Sequence, residues 1–348
     1  MLPVVGLCLL IEAAITAPDE PTRRVGSVEF ALLDASLVAV AIMGVRARIL
    51  LLKALVGLGT AGVGVALLSV TQPPKGPVAE LLGLVARPAT SIGEISPNTV
   101  GYLAAPAVLG AVALAVRLGA VGRAVWTFVA LCALTLLAAT GARTSIAALG
   151  LAGAVGVAMR VKRQRALAGI VVAAVLIGIF TVDAAPVMPS VTQRFRMWSY
   201  ILRLEPSPVS GMGFGAFAVR QFGSEEPVEL EGFSPLAAHN LYVQTFVDFG
   251  LLGILLVTAA GVLGMRAGLR HARHACPVRP LADLAIWGIV FYAAAGLGES
   301  VLTAGTVFDS QPVTLLNPIP LLLVAGPIGI ACKCARGLAA STRADRNA

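Results

Sequence analysis

The sequence predicts an all-α protein, a polytopic transmembrane helical bundle of about ten spans with a large outer loop containing short interfacial helices. Three observations predict it. Of the 348 residues, 57% are hydrophobic; only 13% are charged, with a mean hydropathy of +0.88; and the apolar residues come in unbroken runs. Soluble domains are about 45–50% apolar and about 25% charged, so the composition excludes an ordinary soluble enzyme, a disordered tail and a disulfide scaffold. A membrane β-barrel would instead show short segments of alternating polarity.

Ten runs read as spans, at about 1–17, 25–45, 49–71, 99–117, 121–140, 145–159, 166–183, 241–264, 281–298 and 313–332. The first opens at Met1 with neither a basic n-region nor a small-residue cleavage site, so it reads as a retained helix and not a signal peptide. Several runs are short, and tilt or pairing must make up the difference. The organisation expected is an N-terminal bundle over 1–183 with about seven spans, an extracytoplasmic loop over 184–240, about three C-terminal spans over 241–332 and a cytoplasmic basic tail over 333–348.

The net charge of +8 would suggest nucleic acid until the basic residues are placed. Seventeen of the 26 fall on one side of the alternating spans, chiefly in the loops holding Arg160, Lys162, Arg163 and Arg165 and Arg266, Arg270, Arg273 and Arg279. That is the positive-inside pattern. It predicts a multi-pass protein of the cytoplasmic (inner) membrane with both termini cytoplasmic, surrounded by membrane lipids and binding no nucleic acid. No cysteine falls in an expected outer segment, so no disulfide framework is expected. Neither Cys332-x-Cys334 nor the His271, His274, Cys276 cluster has good zinc spacing, so no metal site is expected.

Two expected outer segments are long, about 72–98 and 184–240, and long loops in a compact bundle are usually functional or disordered. Within the larger one, 194–203 reads as a helix lying in the interface. At 100° per residue, Phe195, Trp198, Ile201 and Leu202 share one face, while Arg196 and Arg203 fall opposite, toward water or lipid phosphates. Arg194 falls within the apolar arc. An arginine there needs an anionic partner, protein or ligand, although a snorkelling arginine at a helix end fits the same pattern.

His239 is the single histidine of three on the expected outer side, where the eighth span begins. Its neutral form can take a proton near physiological pH, as a general base must; an interfacial histidine without chemistry is the alternative. Arg143 sits in the tight turn Thr140-Gly-Ala-Arg143 against the positive-inside bias, able to fork onto a phosphate or to anchor on headgroups. The glycines of Gly211-Met-Gly-Phe-Gly215 follow no strand, so they are no dinucleotide fingerprint. Glu225, Glu226, Glu229 and Glu231 read most simply as a solvated loop, and Glu12, Glu29 and Asp34 as intramembrane carboxylates without assigned partners.

The order of these features resembles the O-antigen ligase and polymerase superfamily of bacterial membrane glycosyltransferases. Arg194-x3-Trp198, Pro208-x2-Gly211-x-Gly213-x3-Phe217, His239-Asn240 and Asp248-Phe-Gly-Leu-Leu-Gly253 carry the likeness, with Thr140-Gly-Ala-Arg143 one outer turn earlier. Arg87 through Ser96-Pro-Asn98 is similar to a further family feature. The likeness is specific over about 140–255 and architectural elsewhere. The family often has about twelve spans against ten here, a glutamate where this chain has Asp248, and a serine-rich turn in place of Thr-Gly-Ala.

The resemblance implies transfer of a glycan from an undecaprenyl-pyrophosphate carrier to a glycan, lipid or protein acceptor in surface polysaccharide assembly. It implies His239 as base, Arg143 and Arg194 on the departing pyrophosphate, and Arg87, Asn98, Arg196, Trp198, Asn240 and Tyr242 as substrate-binding residues. An inverting, metal-independent reaction with no cofactor is expected, with other polysaccharide-assembly membrane proteins as partners. The rival is a flippase or other transporter of polyisoprenoid-linked glycans. Against it stand the lack of an internal repeat and the gathering of charge at one face of the membrane. A structural membrane protein leaves the outer arginines and His239 unexplained.

Overall fold

The computed structural model describes residues 50–54, 56–61, 97–116, 119–140, 142–160, 187–204, 206–213, 216–217, 238–272 and 279–298. The spans expected over 1–17, 25–45, 166–183 and 313–332 lie outside these residues. So do Arg87, the acidic patch, and Glu12, Glu29 and Asp34.

Regular structure among the described residues is helical, apart from one isolated bridge between Ser207 and Gly211. Residues 50–54 and 56–61 are helical, and six longer helices follow: α1 (Pro97–Ala115), α2 (Ala120–Thr140), α3 (Arg143–Arg160), α4 (Val187–Arg203), α5 (Leu241–Ala272) and α6 (Arg279–Ala295). Four agree with the runs expected at 99–117, 121–140, 145–159 and 281–298. Helix α5 runs about two turns beyond its expected end at 264, past Arg266 and Arg270, both exposed. Hydropathy marks where an apolar layer ends; a helix ends where its backbone is capped, and exposed arginines are good helix formers.

Helix α1 packs on α2, α3 and α6, and α6 also packs on α3 and α5. The core is built on small residues, with Ala104, Ala105, Ala111, Ala133 and Ala152 fully buried around Leu137, Ile286 and Phe291. Small side chains let helices approach closely where lipid supplies no hydrophobic drive for association. Among the described residues, two helices are long and apolar enough to cross a membrane, within Ala120–Ala138 and Leu241–Arg270. A core helix of a soluble protein would be mostly buried, yet only 11% and 28% of these segments are. Val121, Val125, Phe128 and Leu131 on α2, and Leu251, Leu252 and Leu255 on α5, turn outward instead. Apolar surface of that extent suits hydrocarbon, not water.

Helix α5, expected as an unbroken span, is in fact two helices bent at Gly250, whose φ of 60° and ψ of −156° are not helical. The bend frees backbone groups that an apolar environment cannot leave unsatisfied. The turn at 207–211 meets them. Leu251 N–H donates to the carbonyl of Pro208 (2.9 Å), Leu252 N–H reaches that of Val209 (3.4 Å), and the carbonyl of Val247 accepts from Met212 N–H (2.6 Å). The backbones approach so closely that a Cβ on Gly250 would lie 2.3 Å from the Val209 oxygen, and one on Gly211 2.4 Å from that of Val247. Gly211 also has a positive φ of 70°. Glycine is required at both positions by space and by conformation.

Candidate functional site

Helix α4 extends from 187, earlier than the 194–203 segment legible in the sequence. Its inward stripe is Arg194, Met197, Trp198 and Ile201, with Met197 and Ile201 buried and Arg194 and Trp198 half-buried. This spacing of three and four residues is one helix face. Arg194 lies on it as expected, and Arg196 and Arg203 are exposed on the other side. The expected apolar face needs correction at two residues. Phe195 and Leu202 are exposed, at 59% and 47%, and Met197 takes the inward place. Both lie about 80–100° from Arg194 around the helix axis, on the flank of the buried stripe, and the Phe195 ring meets Trp198 edge-on at 5.0 Å.

Arg194 bonds to a helix end. Its Nη1 donates to the carbonyl of Gly298, just past the C-terminus of α6. The last carbonyls of a helix lack intrahelical donors and carry partial negative charge. Here those of Ala293, Gly296, Leu297 and Gly298 are met by groups from the site. Tyr242 Oη donates to the Ala293 carbonyl (2.9 Å), Leu241 N–H to that of Gly296 (2.7 Å), and Asn240 Nδ2 to that of Leu297 (3.0 Å). Thr144, in the first turn of α3, joins the same corner. A Cβ on Gly298 would sit 3.1 Å from Thr144 Oγ1 and 3.4 Å from Arg194 Nη1.

Arg143, the first residue of α3, is therefore next in sequence to a residue touching this corner. The start of α1 lies at the same end, because a Cβ on Gly101 would meet Ala142 and Ser145. That puts Asn98, in the first turn of α1, on the site end of the bundle.

His239 lies in a short strap, Ala238–Asn240, leading into α5. Asn240 caps the helix, its Oδ1 accepting from Tyr242 N–H (2.9 Å) and Val243 N–H (3.0 Å), as a good N-cap residue does. Ala238 is held on both sides. Its carbonyl accepts the indole N–H of Trp198 (2.7 Å), and its N–H donates to Gln244 Oε1 (2.8 Å). Between these two fixed residues, His239 has a φ of 46°. A histidine in the left-handed region costs on the order of 1–3 kcal/mol and persists only where its surroundings over-determine it.

The structure thus gathers Arg194, Trp198, His239, Asn240 and Tyr242 around one helix end, with Arg143 and Asn98 on neighbouring first turns. Arg196 faces away. Two buried residues of the site, Gln244 and Asp248, were not assigned a role from sequence, although Asp248 stood in a quoted motif. Gln244 Nε2 lies 3.0 Å from each carboxylate oxygen of Asp248. The signal was present: Asn240, Gln244 and Asp248 recur every four residues, a polar stripe on one face of an apolar helix.

Among the described residues, a helical bundle with apolar outward faces thus carries Arg194 and the His239 strap at one end. Compared with known families, residues 127–258 match the O-antigen ligase family model. The matched segment, which is similar to that family of membrane glycosyltransferase-like proteins of polysaccharide assembly, holds Arg143, Arg194 and His239. No curated protein matches the chain. Among solved structures, a chain described under structural coordination of polymerization and crosslinking by a peptidoglycan synthase complex is 16% identical, with a TM-score of 0.46, over 93% of this chain and 94% of that one. A likeness so slight has no bearing on function.

Proposed function

We propose that the protein transfers a glycan from an undecaprenyl-pyrophosphate carrier to an acceptor hydroxyl at the outer face of the cytoplasmic membrane. The observation that carries the reading is the convergence of Arg194 and the His239 strap on adjacent carbonyls of one turn, Gly298 and Leu297. In the reaction, His239 takes the proton of the acceptor hydroxyl. The acceptor oxygen attacks the anomeric carbon, the bond from that carbon to the pyrophosphate oxygen breaks, and the electron pair leaves with the pyrophosphate. Displacement of this kind inverts the anomeric centre. Arg194 and Arg143 stabilise the charge gathering on the leaving group, for which preorganised donors are the strongest single aid. No metal is required where two guanidiniums do that work.

Arg87 and Asn98 are assigned to the substrate's polar groups, and Arg196, exposed on the far side of α4, to water or headgroup phosphates. Trp198, Asn240 and Tyr242 each place a donor on a main-chain carbonyl, which suits residues that shape the substrate site from behind. The test is His239→Ala, scored for transfer from a purified lipid-linked donor at matched protein abundance. Loss of transfer is expected, since a positioned base contributes about 10²–10⁴-fold. Transfer at the wild-type rate would sink the proposal. Deleting the gene should make lipid-linked glycan accumulate on the outer leaflet; accumulation on the inner leaflet would identify a flippase.

A further inference from the structure

We propose that Gln244, oriented by Asp248, is a positioning residue for His239; this rests on the reading of His239 as the base. The strap around His239 has two anchors on its N-terminal side, both at Ala238. One comes from α4 through Trp198 and the other from within α5 through Gln244. Gln244 is 5% exposed and Asp248 fully buried. Burying an amide and a carboxylate is costly unless their hydrogen bonds are made, and here the two make them with each other and with Ala238.

The carboxylate also decides which way the amide faces. A glutamine side chain can flip, exchanging its oxygen for its NH2, and an unconstrained one would satisfy Ala238 only part of the time. Both oxygens of Asp248 lie 3.0 Å from the amide nitrogen and offer it acceptors. The carboxylate therefore holds the NH2 of Gln244 toward itself and leaves Oε1 facing the N–H of Ala238. Asp248 fixes Gln244, Gln244 fixes the peptide before His239, and Asn240 fixes the residue after it. The left-handed backbone at 239 is the product of these clamps, and with it the direction of the imidazole.

Steady-state kinetics on the purified full-length protein tests the relay. Gln244→Met keeps the volume and removes both bonds. It should lower kcat about 10–100-fold, the scale of a misplacement of about 1 Å, while KM for the lipid-linked donor stays unchanged. Gln244→Glu alone sets two buried carboxylates together and should do at least as badly. Adding Asp248→Asn to it exchanges amide and carboxylate; the carboxylate at 244 then accepts from both Ala238 and the amide at 248, and most of kcat should return. Wild-type kcat in Gln244→Met, a change in KM alone, or a double variant no better than Gln244→Glu would each overturn the proposal. Should Gln244→Met fail to fold, the comparison of Gln244→Glu with the double variant, at equal folded amounts, decides by itself.

A second readout needs no transfer. In a His271→Gln/His274→Gln background, diethyl pyrocarbonate acylates His239 alone among histidines. Loosening the strap by Gln244→Glu should change that rate, and adding Asp248→Asn should restore it. An unchanged rate refutes the relay even if His239 proves to be the base. Wild-type transfer by His239→Ala refutes the base while leaving this readout standing.

Discussion

The indole N–H of Trp198 donates to the carbonyl of Ala238 at 2.7 Å, across forty positions of sequence. That bond ties the helix carrying Arg194 to the strap carrying His239. The two groups proposed to act on opposite sides of the anomeric carbon, one on the attacking hydroxyl and one on the leaving pyrophosphate, are thereby held by a single fixed frame.

Trp198→Phe keeps the ring in its place against Phe195 and removes only the N–H. Transfer should fall by about tenfold, the equivalent of one charge-free hydrogen bond of about 1.4 kcal/mol, with abundance near normal. Steady-state transfer by the purified variant checks this, and an unchanged rate would mean that the strap holds without α4.

Arg194 and Arg196 should separate cleanly when each is changed to lysine. Lysine lacks the planar fork, so Arg194→Lys should cost about 2.7–4 kcal/mol in transition-state stabilisation, the scale for loss of one oxyanion donor. Arg196→Lys keeps an exposed positive charge and should leave transfer close to wild type. The paired assay uses one purified lipid-linked donor; a severe loss at 196 alone would move the pyrophosphate contact to that arginine.

Gly250→Ala should destabilise the fold itself. The new Cβ would lie 2.3 Å from the Val209 oxygen, and alanine resists the left-handed backbone by about 1–3 kcal/mol before any clash is counted. A lowered unfolding temperature in detergent is expected, with Gly261→Ala, where nothing lies within 4 Å of the added Cβ, as the control that should not lower it.

Topology is tested by impermeant thiol labelling of intact cells. The seventeen-to-nine split of basic residues predicts labelling at Ser224→Cys and none at Gln164→Cys. The reverse result would invert every loop assignment.

The helices were legible because long apolar runs permit little else in a membrane; the ends of α1, α2, α3 and α6 fall within a few residues of the hydropathy limits. The bend at Gly250 was not, because hydropathy does not register one glycine whose freed amides are met by a turn forty positions earlier. Phe195 and Leu202 were placed inward because an interfacial helix has two apolar directions, core and lipid, which one period cannot separate. The bond of Arg194 to the end of α6 was hidden for a deeper reason, since its acceptor has no side-chain signature. That acceptor is a carbonyl, and every residue has one.

That last point governs how the site responds to mutagenesis. Gly296, Leu297 and Gly298 contribute acceptors to the site through their main chain, and Leu297 is itself largely exposed, at 61%. Leu297→Ala would remove the side chain and leave all three acceptors in place. Alanine at 297 would therefore read as inert, although Arg194 and Asn240 are both fastened to this turn. Alanine at 296 or 298 would report the crowding of a new Cβ against Leu241 or Thr144 and not the loss of an acceptor. Chemistry that edits the backbone, such as an amide-to-ester exchange that weakens one carbonyl, would isolate the contribution of the acceptors themselves.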